Sequence, residues 1–195
     1  DVVASDRLGI EHGGLAYWVA SVRECFEEAG VLLAQRRDGA PLSLRNEDRH
    51  SVHDSSLSLV ELCRRDDLVI DLSTSHYVDD WITPLGEQRR FDTRFFLTEM
   101  PSDQEPLHDD EETVDRILVR PADALAMQES GELMMMPPTM VNLRFLAPHH
   151  SAADALEAGA AVERPPCTLP KLRRDADGAI VGVSMPGDAD YDQLE

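Results

Sequence analysis

The stretch that decides the fold is Arg23-Glu24-Cys25-Phe26-Glu27-Glu28-Ala29-Gly30-Val31. Apolar residues leading into it recur at spacings of three and four, which is the period of a helix with one buried face. A helix is therefore expected over about residues 15–29. Gly30 is expected to end it, because glycine tolerates the left-handed backbone at a helix C-terminus. The apolar residues 31–34 are then expected to form a buried strand.

Three glutamates of this helix share one face. Glu24, Glu27 and Glu28 stand at positions i, i+3 and i+4, and like charges at these spacings repel each other. A cation among them would remove the repulsion, and carboxylates without neighbouring His or Cys suit Mg²⁺ or Mn²⁺. Arg23 reaches Glu27 at i+4 and is expected to orient it. The other interpretation is an ordinary solvated acidic face.

The composition is that of a globular protein with an unusual charge. The chain has 195 residues, of which 42% are hydrophobic, and a net charge of −20. Such an acidic chain repels phosphate backbones and anionic bilayers, so neither a nucleic-acid polymer nor a membrane is expected as a partner. Three scattered cysteines, without metal-binding spacing, are typical of reduced thiols and favour a cytoplasmic location.

The remaining pattern predicts a mixture of helices and strands, and hence an α/β fold. Residues 38–54 are polar and lead into the next helix, for which Asp54 is the expected N-cap. Further helices are expected at residues 55–65, 122–130, 139–146 and 151–158, and strands at 68–70, 77–82, 91–100 and 113–119. We expect one domain over residues 1–163. An extended tail rich in Pro and Gly is expected over 164–195, packed on that domain, with a strand near 179–183.

The deciding stretch resembles the second half of the Nudix box, whose pattern is Arg-Glu-apolar-x-Glu-Glu-x-Gly-apolar. Eight of the nine positions satisfy it, and Cys25 is a mild variant at an apolar position. The resemblance implies the Nudix fold, an α/β/α sandwich with a mixed sheet, here followed by C-terminal helices. It also implies a hydrolase that cleaves a nucleoside diphosphate linked to another moiety. The cofactor would be Mg²⁺ or Mn²⁺ held by Glu24, Glu27 and Glu28.

Other stretches look like the Nudix branch of peroxisomal-type coenzyme A diphosphatases and their bacterial relatives. They are residues 81–84, 89–96, 112–113, 120–125, 131–139 and 186–191. The resemblance implies a small nucleotide conjugate as substrate, such as coenzyme A or an acyl-CoA. It also implies catalytic roles for Glu24, Glu27 and a downstream carboxylate. Glu112 is the first candidate for that carboxylate, and Glu111 is its rival.

Arginines and a glycine complete the expected site. Arg89, Arg90 and Arg94 are expected to bind the phosphates of the substrate as fixed cations. The alternative is that they pair with the acidic surface. Arg23 and Gly30 are expected to support the site structurally.

The chain departs from the family pattern upstream of the deciding stretch. Leu15 stands where the first half of the Nudix box has a glutamate, and Gly13-Gly14 lack a preceding strand. We therefore expect that the N-terminal strands of the domain are missing from these 195 residues. The alternative function is a catalytically weak or inactive Nudix-fold domain that binds a nucleotide or another ligand. A third is a plain acidic interaction domain, and a homodimer is left open.

Overall fold

The protein is described here by a computed structural model covering residues 1–106 and 117–194. Its helices within these ranges are α1 (Val2–Leu8), α2 (Gly14–Ala29), α3 (Asn46–His53), α4 (Leu59–Arg65), α5 (Pro121–Ser130), α6 (Pro137–Leu146) and α7 (Ala152–Ala160). The strands are β1 (Ala34–Arg36), β2 (Leu68–Ile70), β3 (His76–Ile82), β4 (Asp92–Leu97), β5 (Cys167–Thr168), β6 (Lys171–Arg174) and β7 (Ile180–Ser184). None of the helices in these ranges is both long enough and apolar enough to cross a membrane.

The strands in the described part of the chain form three small sheets. In the largest, β3 lies between β4, which is antiparallel to it, and β5, which is parallel to it. β1 pairs with β2 and β6 pairs with β7, both antiparallel. The mixed β4-β3-β5 sheet among helices confirms the predicted α/β class.

Buried apolar side chains form two clusters within the described residues, and helix α2 contributes to both. Its residues Val22 and Phe26 are fully buried in the first cluster, together with Leu32 and Leu62. One turn earlier, Trp18 belongs to the second cluster, where its ring centroid lies 4.6 Å from that of Phe96 in β4. Because opposite ends of one face are buried in different clusters, the rotation of α2 about its axis is fixed.

Residues 38–65 contain one helix that the sequence does not predict, and the predicted start and N-cap of the next helix are wrong. Residues 46–53 form helix α3, and Asp54 follows the end of that helix instead of capping the next one. Helix α4 begins at Leu59, because Ser58 accepts from the Glu61 main-chain N–H at 3.2 Å. The Ser58 N–H in turn donates to Glu61 Oε2 at 3.0 Å, which completes a capping box.

Helix α3 is stabilised by buried charges more than by an apolar face. Asp48, which is 7% exposed, accepts from Arg65 Nη1 and Nη2 at 2.7 and 2.8 Å and from Arg45 Nε at 3.0 Å. The hydrogen bonds from Arg65 lower the pKa of Asp48 to about 2. A helix of this kind has too few apolar residues to be recognised from hydrophobic periodicity.

Residues 31–33 are buried as predicted, but strand β1 begins only at Ala34. The reason is that the side chain of Gln104 takes the place of a neighbouring strand. Leu32 N donates to Gln104 Oε1 at 2.8 Å, and Gln104 Nε2 donates to Leu32 O at 2.9 Å. Part of the strand predicted over 113–119 lies outside the described residues, and residues 117–119 form neither helix nor strand.

The C-terminal segment is more regular than its Pro and Gly content indicates. β5 extends the sheet of β3, with Cys167 opposite Asp80. The β6–β7 hairpin follows, and the Tyr191 hydroxyl donates to Leu169 O at 2.7 Å. The division into a domain over 1–163 and a tail over 164–195 stays a prediction.

Candidate metal and diphosphate site

The second half of α2 carries the three glutamates. The helix ends where the sequence predicts, since Gly30 has φ 68° and its N–H donates to Phe26 O at 3.1 Å. Burial of Phe26 on the inner face turns Glu24 outward, where its side chain is 55% exposed. Glu27 lies at the edge of the buried face and is only 5% exposed.

Arg23 links two of the three carboxylates. Its Nη1 donates to Glu27 Oε2 at 2.5 Å, which is the predicted i,i+4 pair, and its Nη2 donates to Glu24 Oε1. Burial by itself would lower the pKa of Arg23, but the hydrogen bond to Glu27 and the charge of Glu24 outweigh it, so that the pKa is raised. Arg23 is thus a permanent cation on this face.

One carboxylate oxygen is left over. Oε1 of Glu27 is buried and has no hydrogen-bond partner among residues 1–106 and 117–194. A buried anionic oxygen without a partner is costly unless a cation or a donor reaches it. Its chemistry fits a hard divalent cation, which prefers carboxylate oxygens. The side chains of the described residues do not, as they stand, assemble three or more His, Cys, Asp or Glu around one point.

A cavity of about 640 Å³ lies between α2 and β4. Glu24 lines it from the helix and Arg94 lines it from the strand, so the structure brings these two predicted site residues together. Tyr17, Phe91 and Phe95 give the cavity an aromatic lining. A carboxylate and a guanidinium therefore line the same groove.

Arg94 is held firmly in this cavity. Its side chain is 9% exposed, its guanidinium carbon lies 4.0 Å from the centroid of the Tyr17 ring, and its Nη1 lies 3.3 Å from Asp92 Oδ1. Its Nε is buried without a hydrogen-bond partner among the described residues. Burial opposes the charge of Arg94, but the carboxylate of Asp92 and the contact with Tyr17 outweigh it and raise the pKa.

The other two predicted phosphate-binding arginines are elsewhere. Arg89 and Arg90 are exposed in the connection between β3 and β4, and neither lines the cavity. Arg90 Nε donates to Thr83 O at 2.9 Å, which closes this connection. Glu111 and Glu112 lie outside the described residues, so their predicted role stays a prediction.

Sequence reasoning missed two buried groups near the site. Asp80 lies opposite Arg94 in the sheet and is 8% exposed, and burial raises its pKa. Arg49 of α3 contacts the last turn of α2. The alternation of side chains along β3 could have indicated which face of the sheet Asp80 lies on. That Arg94 lies on the same face follows only from the register between β3 and β4. No local pattern indicates Arg49.

The chain is similar to known proteins of one family. A family model described as the NUDT19 Nudix domain matches residues 7–146. Acyl-coenzyme A diphosphatase NUDT19 of Homo sapiens is 31% identical to the chain, covering 96% of the chain and 54% of that protein. The protein of the same name from Gallus gallus is 28% identical, covering 92% of the chain and 53% of that protein. The chain therefore spans about half the length of these curated relatives.

A solved structure is similar as well. The crystal structure of a Nudix hydrolase from Alicyclobacillus acidocaldarius has a TM-score of 0.65 and 26% sequence identity, covering 77% of this chain and 69% of that chain.

Proposed function

We propose that this chain hydrolyses a diphosphate linkage, since it belongs to the Nudix family, whose NUDT19 domain model matches residues 7–146. The family match confirms the predicted resemblance, and the similar crystal structure confirms the predicted Nudix fold. The observation that carries the proposal is the buried Glu27, with one oxygen bound to Arg23 and the other without a partner in the described residues.

The proposed substrate is a nucleoside diphosphate conjugate, in particular coenzyme A or an acyl-CoA. This choice is supported by the relatives from Homo sapiens and Gallus gallus, which are named acyl-coenzyme A diphosphatases. The aromatic lining of the cavity between α2 and β4 suits a flat base or an apolar group beside the charged diphosphate.

The proposed cofactor is Mg²⁺ or Mn²⁺, held by Glu24, Glu27 and Glu28. When bound, such a cation neutralises charge on the phosphoryl oxygens and lowers the pKa of the attacking water. The carboxylates of this chain set its position. Glu27 is buried, Arg23 holds one of its carboxylate oxygens, and the other oxygen has no partner among the described residues, so we propose it as a ligand of the cation.

The remaining residues bind the substrate and move the proton. Arg94 contributes a fixed charge to a phosphate in the cavity that Glu24 also lines. A carboxylate that is not saturated by cations takes the proton of water, and we propose Glu112 for this step, with Glu24 and Glu27 as alternatives. Arg23 and Gly30 shape the turn that carries the glutamates, whereas Arg89 and Arg90 are left to contact a larger substrate from outside the cavity.

A second candidate function is a Nudix-fold domain that binds its ligand without cleaving it. The observation in its favour is that Arg23 already engages both Glu24 and Glu27, while the described side chains form no preassembled cluster of three ligands. If Arg23 stays in place, the glutamates have fewer oxygens to offer, and the cavity alone would retain the ligand.

Location and partners are proposed on simpler grounds. The three cysteines are free thiols, which supports a reducing compartment such as the cytoplasm. The net charge of −20 argues against nucleic-acid polymers and anionic membrane surfaces as partners. A homodimer stays a proposal for measurement by light scattering.

The test uses the full-length protein with a panel of coenzyme A, acyl-CoA, dinucleotide and nucleotide-sugar substrates, each with Mg²⁺, with Mn²⁺ and with EDTA. We expect turnover that depends on the cation, and a loss of about 100-fold or more in Glu27→Gln. Glu47→Gln, on the exposed side of α3, is the matched control. Equal turnover in Glu27→Gln would contradict the assigned role. Ligand binding in calorimetry with no product would instead favour the binding domain.

A further inference from the structure

We propose that Arg49 is a positioning residue for the glutamates of α2, an inference that rests on the proposed function. Arg49 Nε donates to Glu27 O at 2.8 Å, and its Nη2 donates to Glu28 O at 2.9 Å. Both acceptors are main-chain carbonyls of residues whose carboxylates are proposed to hold the cation. The guanidinium of Arg49, which lies on α3, therefore holds the main chain of two adjacent residues that are proposed to bind the cation.

The end of α2 needs such a partner. The last carbonyls of a helix have no N–H within the helix to accept from, and together they carry a partial negative charge. The Phe26 carbonyl is satisfied by the N–H of Gly30. The last turn of α2 contains no basic residue that could serve the next two carbonyls. Arg49 supplies from another helix both the donors and the positive charge.

The contact is rigid as well as favourable. Arg49 is 5% exposed, and a guanidinium is buried to this extent only when its hydrogen bonds compensate for lost water. Its planar fork fixes the direction of two donors at once, which a lysine ammonium does not do. Two adjacent carbonyls held in this way fix the rotation of the last turn. The Cα–Cβ bonds of Glu27 and Glu28 are thereby fixed relative to Glu24, one turn earlier.

The expected consequence is on cation affinity. Residues that orient metal ligands without binding the metal typically change affinity or activity by roughly 10- to 100-fold when substituted. Loss of the Arg49 contacts frees the last turn to fray, so that the carboxylates must be ordered when the cation binds. At a saturating concentration of cation the order is restored, and the turnover number recovers.

The test compares Arg49→Gln and Arg49→Lys with the control Asp48→Asn in the full-length protein. Asp48 is the neighbouring buried residue of α3, and its hydrogen bonds go to Arg45 and Arg65, away from α2. Two constants are measured: the Mg²⁺ concentration that gives half-maximal turnover, and the dissociation constant for Mn²⁺ by calorimetry. Arg49→Gln is expected to raise both constants by roughly 10- to 100-fold, with a smaller rise in Arg49→Lys and none in Asp48→Asn.

Each other outcome decides the question too. Unchanged constants in a folded Arg49→Gln would overturn the inference, and so would an equal rise in Asp48→Asn, because any loosening of α3 would then suffice. If Arg49→Gln does not fold, Arg49→Lys carries the same comparison. If the wild type binds Mn²⁺ but turns over no substrate, the proposed function fails while the Mn²⁺ affinities still test Arg49. A wild type that binds no Mn²⁺ overturns both.

Discussion

Replacing Glu27 by glutamine separates the stability of the fold from the binding of a cation. The substitution keeps the size of the side chain and removes its charge. In the structure the carboxylate is 5% exposed, one oxygen accepts from Arg23, and the other has no partner among the described residues. The wild-type sequence thus keeps a buried charge that the fold alone does not satisfy.

The magnitude follows from these two oxygens. The bond to Arg23 contributes about 0.2–1 kcal/mol, because the arginine side chain is 41% exposed and water screens the pair. The unpartnered oxygen costs about 1–3 kcal/mol, part of which a neutral amide avoids. Without a cation, the free energy of unfolding of Glu27→Gln is therefore expected to stay within about 1 kcal/mol of the wild type, or to rise.

With a cation the wild type is expected to be the more stable of the two. A ligand at 100 times its dissociation constant stabilises the folded wild type by about 2.7 kcal/mol, which for a chain of this length raises Tm by about 5–10 °C. Glu27→Gln loses a ligand and is expected to gain much less. The stability of the variant is then within about 1 kcal/mol of the wild type, or higher, in EDTA, and it is lower than that of the wild type in Mg²⁺.

Differential scanning calorimetry in EDTA and in a Mg²⁺ titration measures both effects, with Glu47→Gln as the exposed control. A loss above about 2 kcal/mol in EDTA would show that the carboxylate stabilises the fold by itself. A Mg²⁺ shift equal to that of the wild type would remove Glu27 from the proposed ligands. Either result refutes the reasoning from the unpartnered oxygen.

Three further predictions concern the surroundings of α2. The pKa of Asp48 in the folded state is about 2, below the ordinary 3.8. The ionised carboxylate therefore contributes about 2 kcal/mol to the free energy of unfolding above the unfolded-state pKa, and this contribution is lost as pH falls towards 2. Urea unfolding at pH 7 and pH 3 should show that Asp48→Asn reduces the loss of stability between these two pH values. Ser58→Ala removes the capping box with Glu61 and is expected to cost about 1 kcal/mol in urea unfolding. Gln104→Leu leaves the N–H and C=O of Leu32 without their partner and is expected to cost about 2 kcal/mol, whereas Gln88→Leu, in the exposed connection before β4, should cost little.

The features that could be predicted from the sequence depend on residues that are close together in the chain. The apolar spacing and Gly30 define α2 within one turn of its observed ends, because helix period and helix termination depend on neighbouring residues. The contact of Arg23 with Glu27 follows from the same period. The identity of the fold came from the resemblance of this one stretch, and the family match confirms it.

What could not be predicted depends on residues far apart in the chain. Arg94 and the two arginines before it look equivalent in the sequence, but Arg94 alone lies in β4 against Tyr17, a neighbour fixed only by the packing of α2 on the sheet. Helix α3 escaped prediction because its buried residues include Asp48 and Arg49, which any hydropathy pattern assigns to the surface. The prediction of helices from hydropathy therefore failed where charged side chains form the buried face of the helix.

Two arginines allow the acidic last turn of α2 to be stable. Arg23 neutralises carboxylate oxygens of Glu24 and Glu27, while Arg49 donates to the carbonyls of Glu27 and Glu28. The bonds of Arg49 to the main chain use no carboxylate oxygen, so they stabilise the turn without competing for a cation. Because the bonds of Arg49 to these carbonyls take no carboxylate oxygen, they support the turn before a cation binds, and Glu27 keeps an oxygen that has no partner among the described residues.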